Sequence, residues 1–324
     1  MIDGNGRTID YLRISITDRC NLRCIYCMPE AGVEAVPHKE ILSYEEILRL
    51  VKLFASLGFR KIKLTGGEPL LRKGAEGLIY ELKQISGIEQ VTVTTNGIAL
   101  AEAIEGLAKA GVDGINLSLD TLNPGVFQRI TRRDSFDKVI EGFYQALKYP
   151  EIPMKINCVP MKIPGQNVLE LAELARKYPV HVRYIEMMPI GLGKQFEFSS
   201  EDALLEALVK RYGEADSCKE SLGNGPAHYY SFQNFKGSVG FISAMSHKFC
   251  ESCNRVRLTS QGYLKSCLQY DIGTDLKKLL RTGACDEELC FAIKETILQK
   301  PKGHQFDAQP KIHREKHLMA QIGG

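Results

Sequence analysis

The stretch Leu12-Arg13-Ile14-Ser15-Ile16-Thr17-Asp18-Arg19-Cys20-Asn21-Leu22-Arg23-Cys24-Ile25-Tyr26-Cys27 passes from a strand-like run straight into a loop carrying three thiols. The aliphatic, β-branched half predicts a strand over Leu12–Thr17. A dinucleotide-binding sheet would place Gly-x-Gly-x-x-Gly after its first strand. This chain places cysteines there. Working outward, further strands are expected at Lys61–Thr65, Gln90–Thr95, Gly114–Leu119, Met154–Val159 and His181–Met187. Helical patterns separate them. In the first, Ser43 with Glu46 forms a capping box, and Ile47, Leu50, Val51, Phe54 and Leu57 share one face. Glu76–Ile85, Ala99–Ala110, Phe136–Lys148 and Gln166–Tyr178 read similarly, with Gly58 and Gly111 at C-cap positions.

Strands that alternate with helices pair in parallel through right-handed crossovers. Polar residues recur at the C-terminal strand ends, in Thr65-Gly66-Gly67, Thr94-Thr95-Asn96, Ser118-Leu119-Asp120, Asn157 and Glu186. Strand ends that together floor one site are a barrel's property. The expected class is therefore α/β, an incomplete, TIM-like (β/α)6 barrel open on one side. Beyond about residue 215 the pattern changes to an α+β extension. Gly223-Asn224-Gly225-Pro226 is a loop signal, followed by strands at His228–Phe232, Ser238–Ile242, Arg255–Leu258 and Tyr263–Lys265 and helices at Thr274–Leu280 and Asp286–Gln299. Two domains follow, 1–215 and 216–324, the second ending in a basic tail and Gly323-Gly324.

Composition limits the options. Of 324 residues, 44% are hydrophobic and 25% charged, so disorder and collagen-like structure are excluded. Lys+Arg total 42 against 39 Asp+Glu, and the resulting +3 is too mild for nucleic-acid wrapping but allows a local basic pocket. Met1–Gly6 carries no signal-like apolar run and no run elsewhere could span a bilayer, so a cytoplasmic chain without membrane contact is expected. Six of the ten cysteines fall in two groups, which points to metal chemistry.

The first group, Cys20, Cys24 and Cys27, has the spacing C-x3-C-x2-C. Three thiolates on such a loop can hold three corners of a cubane iron–sulfur cluster and leave one iron open. A structural zinc would want a fourth ligand, and the nearest histidine, His38, lies eleven residues on, past Pro29 and Pro37. Cys250, Cys253 and Cys267 form the second group, where His247 could complete a zinc site. Arg255 and Arg257 alternate on a strand, so both face one side, and paired guanidinium groups suit a phosphate chain. The four other cysteines and the tail histidines His304, His313 and His317 read as structural or solvated.

The cysteine loop with Tyr26 as its aromatic, followed after the second strand by Thr65-Gly66-Gly67-Glu68-Pro69, resembles the signature of the radical S-adenosylmethionine (SAM) enzymes. That resemblance implies a 4Fe-4S cluster whose open iron binds SAM and yields a 5'-deoxyadenosyl radical. It also implies cofactor contacts at Tyr26, Gly66, Gly67, Glu68, Ser118, Asn157 and Met188. The run Phe249 to Cys267, together with the terminal Gly323-Gly324, is similar to the GTP 3',8-cyclase family of molybdenum cofactor biosynthesis. This second resemblance implies another 4Fe-4S cluster on Cys250, Cys253 and Cys267. It places GTP among Arg13, Lys63, Thr94, Lys155, Arg183, Arg255 and Arg257, and assigns catalytic roles to Arg255, Arg257, Gly323 and Gly324. Lys63 stands where relatives commonly carry arginine.

The implied reaction cyclises GTP by joining C3' of the ribose to C8 of guanine, the first step of the cofactor pathway. The implied partners are an electron donor of flavodoxin or ferredoxin type and a downstream cyclic pyranopterin monophosphate synthase, with a homodimer left open. Two other readings stand beside it: a radical SAM enzyme that modifies peptides using an auxiliary cluster, and a non-catalytic zinc-binding protein.

Overall fold

In the computed structural model, the described residues are 1–34, 36–218, 222–306 and 315–323. The first half is built from β1 (Tyr11–Ser15), α1 (Tyr44–Ser56), β2 (Lys61–Thr65), α2 (Ala75–Lys83), β3 (Gln90–Thr95), α3 (Leu100–Lys109) and β4 (Ile115–Ser118). It continues through α4 (Pro124–Thr131), α5 (Phe136–Ala146), β5 (Met154–Cys158), α6 (Ala172–Lys177) and β6 (His181–Ile185). After these come α7 (Glu201–Tyr212), β7 (Ala215–Cys218), β8 (His228–Phe232), β9 (Ser238–Ile242), β10 (Arg255–Leu258), β11 (Tyr263–Lys265), β12 (Gly273–Asp275), α8 (Leu276–Arg281) and α9 (Asp286–Leu298). The capping box at the start of α1 is formed: Ser43 Oγ accepts from the Glu46 N–H at 3.1 Å and Glu46 Oε2 from the Ser43 N–H at 2.7 Å.

Strands β1 to β6 lie side by side in chain order, each parallel to the last. The C-terminal third adds to this sheet on both sides. β10 joins β1 in parallel and β9 joins β6 in parallel, so the parallel block has eight strands. Antiparallel β11–β12 and β8–β7 extend the two edges. The sheet does not break at residue 215, and one hydrophobic cluster draws on Ile14, Leu64 and Val182 as well as Val239, Val256 and Leu264.

Alternation along the strands determines the site. A parallel sheet covered on both faces reads as continuous apolar runs. Here Leu12, Ile14, Ile62, Leu64, Val91 and Val93 are buried in the hydrophobic cluster, which also takes in α1, α2 and α3. Their neighbours Arg13, Lys63, Thr92 and Thr94 line a central cavity, as do Asn116, Lys155 and Arg183 farther along the sheet. A closed eight-stranded barrel fills its interior with bulky apolar layers. This sheet is open at β12 and β7, and charged and polar side chains of its strands stand among the residues that line its cavity.

Candidate active site

The cavity measures about 700 Å³, the size of a small-molecule site, and both cysteine groups open onto it. Cys20 follows the C-terminal end of β1, whereas Cys253 precedes the N-terminal end of β10, and these strands run parallel with Tyr11 opposite Arg255. The two groups therefore lie at opposite ends of the strands. At ~3.3 Å per residue, five residues of β1 separate them by about 17 Å.

Among the described residues, no three cysteine Sγ atoms lie within 4.8 Å of one another, as thiolates on a single zinc would. His247 does not join the second group; it faces Glu201 at 3.6 Å and Asp202 at 3.7 Å. Cys20 Sγ accepts from the Leu22 N–H and the Asn96 amide, and Cys250 Sγ from the His304 N–H at 3.4 Å. Burial raises the Cys24 thiol well above its usual range and the Cys27 thiol to about 12. Cys253 shifts the other way: burial opposes ionisation, but Arg255 and Lys300 outweigh it and hold the thiol low.

Gly66 and Gly67 tie β2 to the first cysteine loop. A Cβ on Gly66 would come 2.6 Å from the Thr17 carbonyl oxygen, and one on Gly67 would strike the Arg19 carbonyl. Gly67 N–H donates to Thr17 O at 2.7 Å and Glu68 N–H to Arg19 O at 2.7 Å. Beside the cofactor contact that the family resemblance implies, close packing on residues 17–19 is a second reason for glycine at both positions.

Between the cysteine groups the cavity wall is cationic. Arg257, Arg13 and Lys63 sit side by side on β10, β1 and β2. None of Lys63, Lys155, Arg183, Arg255 and Arg257 is salt-bridged to a carboxylate among the described residues; the nearest organisation is polar or aromatic. Arg183 donates to Asn157 Oδ1 and Asn116 Oδ1, and Arg255 lies 4.9 Å over the Phe249 ring. Burial and the neighbouring cations push Lys63 well below the usual lysine range, and Lys155 down to about 8. Such crowding of buried positive charge suits a polyanionic ligand.

Comparison with known proteins agrees. The Radical SAM superfamily pattern matches residues 14–189, and the pattern described as Molybdenum Cofactor Synthesis C matches residues 180–306. Proteins named GTP 3',8-cyclase from Desulforamulus reducens and Clostridium perfringens are each 43% identical, and that from Syntrophomonas wolfei is 45% identical; the match covers 100% of both chains in all three cases. The chain belongs to the GTP 3',8-cyclase family of radical SAM enzymes. Among solved structures, Streptococcus suis SuiB bound to S-adenosylmethionine has the same fold, with a TM-score of 0.60, 16% identity, and coverage of 89% of this chain and 68% of that one.

Within this family member, the residues expected at the cofactor converge on the cavity: Tyr26, Gly66, Gly67, Ser118, Asn157 and Met188 all line it. Tyr26 donates its hydroxyl to Asp120 Oδ2 at 2.8 Å. Glu68 also lines the cavity, but both its oxygens are engaged by the chain's own groups, Thr95 Oγ1 at 2.8 Å, the Asn96 N–H at 2.6 Å and the Leu70 N–H at 3.1 Å. Burial raises its carboxyl to about 7 despite these donors. Gly323 enters the sheet interior, where its carbonyl accepts from Arg257 Nη1 at 2.6 Å. Gly324 and His313 lie outside the described residues.

Several participants escaped the sequence reading. Asn116 precedes Ser118 by two on β4, so strand alternation was the signal that would have placed it on the cavity side. His304 and Phe306, from the segment read as solvated tail, bring their rings together in a tilted pair, centroids 4.6 Å apart, beside Cys250. No local pattern announces that placement.

Proposed function

We propose that this chain converts GTP to (8S)-3',8-cyclo-7,8-dihydroguanosine 5'-triphosphate in the cytoplasm, opening molybdenum cofactor synthesis. The observation that carries the reading is one cavity with a cysteine triad towards each end and, between them, Lys63, Lys155, Arg183, Arg255 and Arg257, none salt-bridged to a carboxylate among the described residues. Cys20, Cys24 and Cys27 would hold one 4Fe-4S cluster and Cys250, Cys253 and Cys267 a second. When bound, the first cluster and SAM would supply the radical chemistry that removes the C3' hydrogen, and joining C3' to C8 would be balanced by one electron and one proton.

The chain's residues supply position and charge. Arg13, Lys63, Lys155, Arg183, Arg255 and Arg257 bind the triphosphate, and Thr94 lies at the same wall. Tyr26, Ser118, Asn157 and Met188 lie near the first triad to receive SAM, while Gly66, Gly67 and Glu68 keep that loop in place. The tail, through Gly323 on Arg257, walls the site beside the reacting sugar, and Gly324, next in the sequence, shares that catalytic role. Holding both reactants in one dry cavity is how such a site gains effective molarity. An external donor of flavodoxin or ferredoxin type supplies electrons, and a cyclic pyranopterin monophosphate synthase consumes the product.

Anaerobic protein carrying both clusters, incubated with SAM, reductant and GTP, should form a nucleotide isomeric with GTP, since the hydrogen lost from C3' is balanced by the electron and proton gained. Mass analysis after separation checks this. Formation of 5'-deoxyadenosine with GTP left intact would refute GTP as the substrate.

A further inference from the structure

The C-terminal segment 315–323 touches both cysteine regions. It begins beside Cys267, where the Glu315 N–H donates to Gln269 O at 2.8 Å. Met319 and Ala320 line the cavity together with Cys27, whose thiolate form the Ala320 backbone favours. Gly323 ends on Arg257. Glu315, Ala320, Ile322 and Gly323 are buried while Lys316 and His317 are exposed, and a chain end of this kind frays unless something ties it down.

The tie is a buried ion pair. Lys265, on β11 directly opposite Arg257, is 1% exposed, and its ammonium group meets the Glu315 carboxylate and donates to Tyr270 O at 2.8 Å. The other Glu315 oxygen accepts from the His317 N–H and from Nδ1, both at 2.7 Å. Asp271, Glu315 and His317 converge as cation ligands would, but Lys265 already contacts both carboxylates, at 3.8 Å for Asp271. A buried ion pair gives little net stability over an apolar pair of similar volume, and its best-attested use is to specify register. Removing one partner leaves the other charge buried and alone.

We propose that the Lys265–Glu315 pair is a clasp that positions the C-terminal segment, so that radical formation is spent on GTP. Lys265 and Glu315 are positioning residues: they act through the segment and touch neither substrate nor cofactor. The coupling part rests on the function proposed above; the placement part stands independently of it.

The test uses full-length protein carrying both clusters, as Glu315→Gln, Lys265→Met and the charge-keeping Glu315→Asp. Amide exchange over 316–323 should quicken at least tenfold in the first two and stay within threefold of the parent in Glu315→Asp. The ratio of 5'-deoxyadenosine to cyclised nucleotide should rise at least fivefold in the first two, with iron content unchanged. Parent-like exchange in Glu315→Gln would overturn the clasp, and faster exchange with an unchanged ratio would overturn its role in coupling. If Lys265→Met loses iron, Glu315→Gln decides. If the parent forms no cyclised nucleotide, the function falls and exchange alone decides the clasp.

Discussion

Lys155 loses its proton more easily than a lysine in water because it is buried and faces Arg183. Its folded value, about 8, lies below the 10.5 of the unfolded chain, so over that interval the unfolded state binds more protons. Ligand-free protein should therefore gain stability as pH rises through about 8 and keep gaining towards 10.5. GTP, by stabilising the ammonium group, should flatten the slope. Denaturant titrations at several pH values, with and without GTP, check this against Lys155→Met, in which that slope should shrink. Arg257 holds the Gly323 carbonyl and, in the proposed function, also binds phosphate. Arg257→Ala should weaken GTP binding by about 1.5–3 kcal/mol, the worth of a charge-assisted hydrogen bond, and leave SAM binding within about twofold. Calorimetric titration of each ligand is the check; equal losses would point to a general folding defect.

Among the elements, the β2 turn shows how a loop is held by missing atoms. Gly66→Ala would press a methyl group against the Thr17 carbonyl at 2.6 Å, and overpacking of this kind costs about 1–3 kcal/mol. Lower thermal stability together with loss of about half the bound iron is expected, because the displaced backbone leads directly into Cys20. Iron assay and a melting curve check both. Helix signals were unevenly readable. The α1 capping box stood out, whereas α4, with Asn123 capping it and Pro124 in its first turn, went unread although its start signal is present. Helix α7 also went unread: its apolar face is thin, and tertiary contacts hold it, with buried Glu201 bonded to His228 and Ser243.

At the scale of the whole molecule, two distant segments complete the site. β10 brings Arg255 and Arg257 beside Arg13, and the tail returns to β10. Deleting Gly323 and Gly324 should leave both clusters and SAM binding intact while suppressing hydrogen abstraction from C3'. Deuterium at C3' of GTP should then fail to reach 5'-deoxyadenosine, as read by mass spectrometry; full-rate transfer would show the tail dispensable. The described part of the chain has no helix long and apolar enough to cross a membrane.

Most strand positions, the cysteine triads and the other named site candidates on the cavity wall were legible because they depend on local chemistry. Period-two alternation, loop spacing and Gly-Gly are written in neighbouring residues; β2, β3, β8, β9, β10 and β11 lie where the sequence placed them. Tertiary structure alone decided that β9 and β10 enlarge the parallel sheet to eight strands, since a parallel partner is chosen by packing across the fold. It also turned His247 towards Glu201, brought His304 to Cys250 and joined Lys265 to Glu315. Those contacts pair residues up to 54 positions apart, and their energy comes from burying charge and ring surface together. No local pattern encodes which buried partner a side chain will meet.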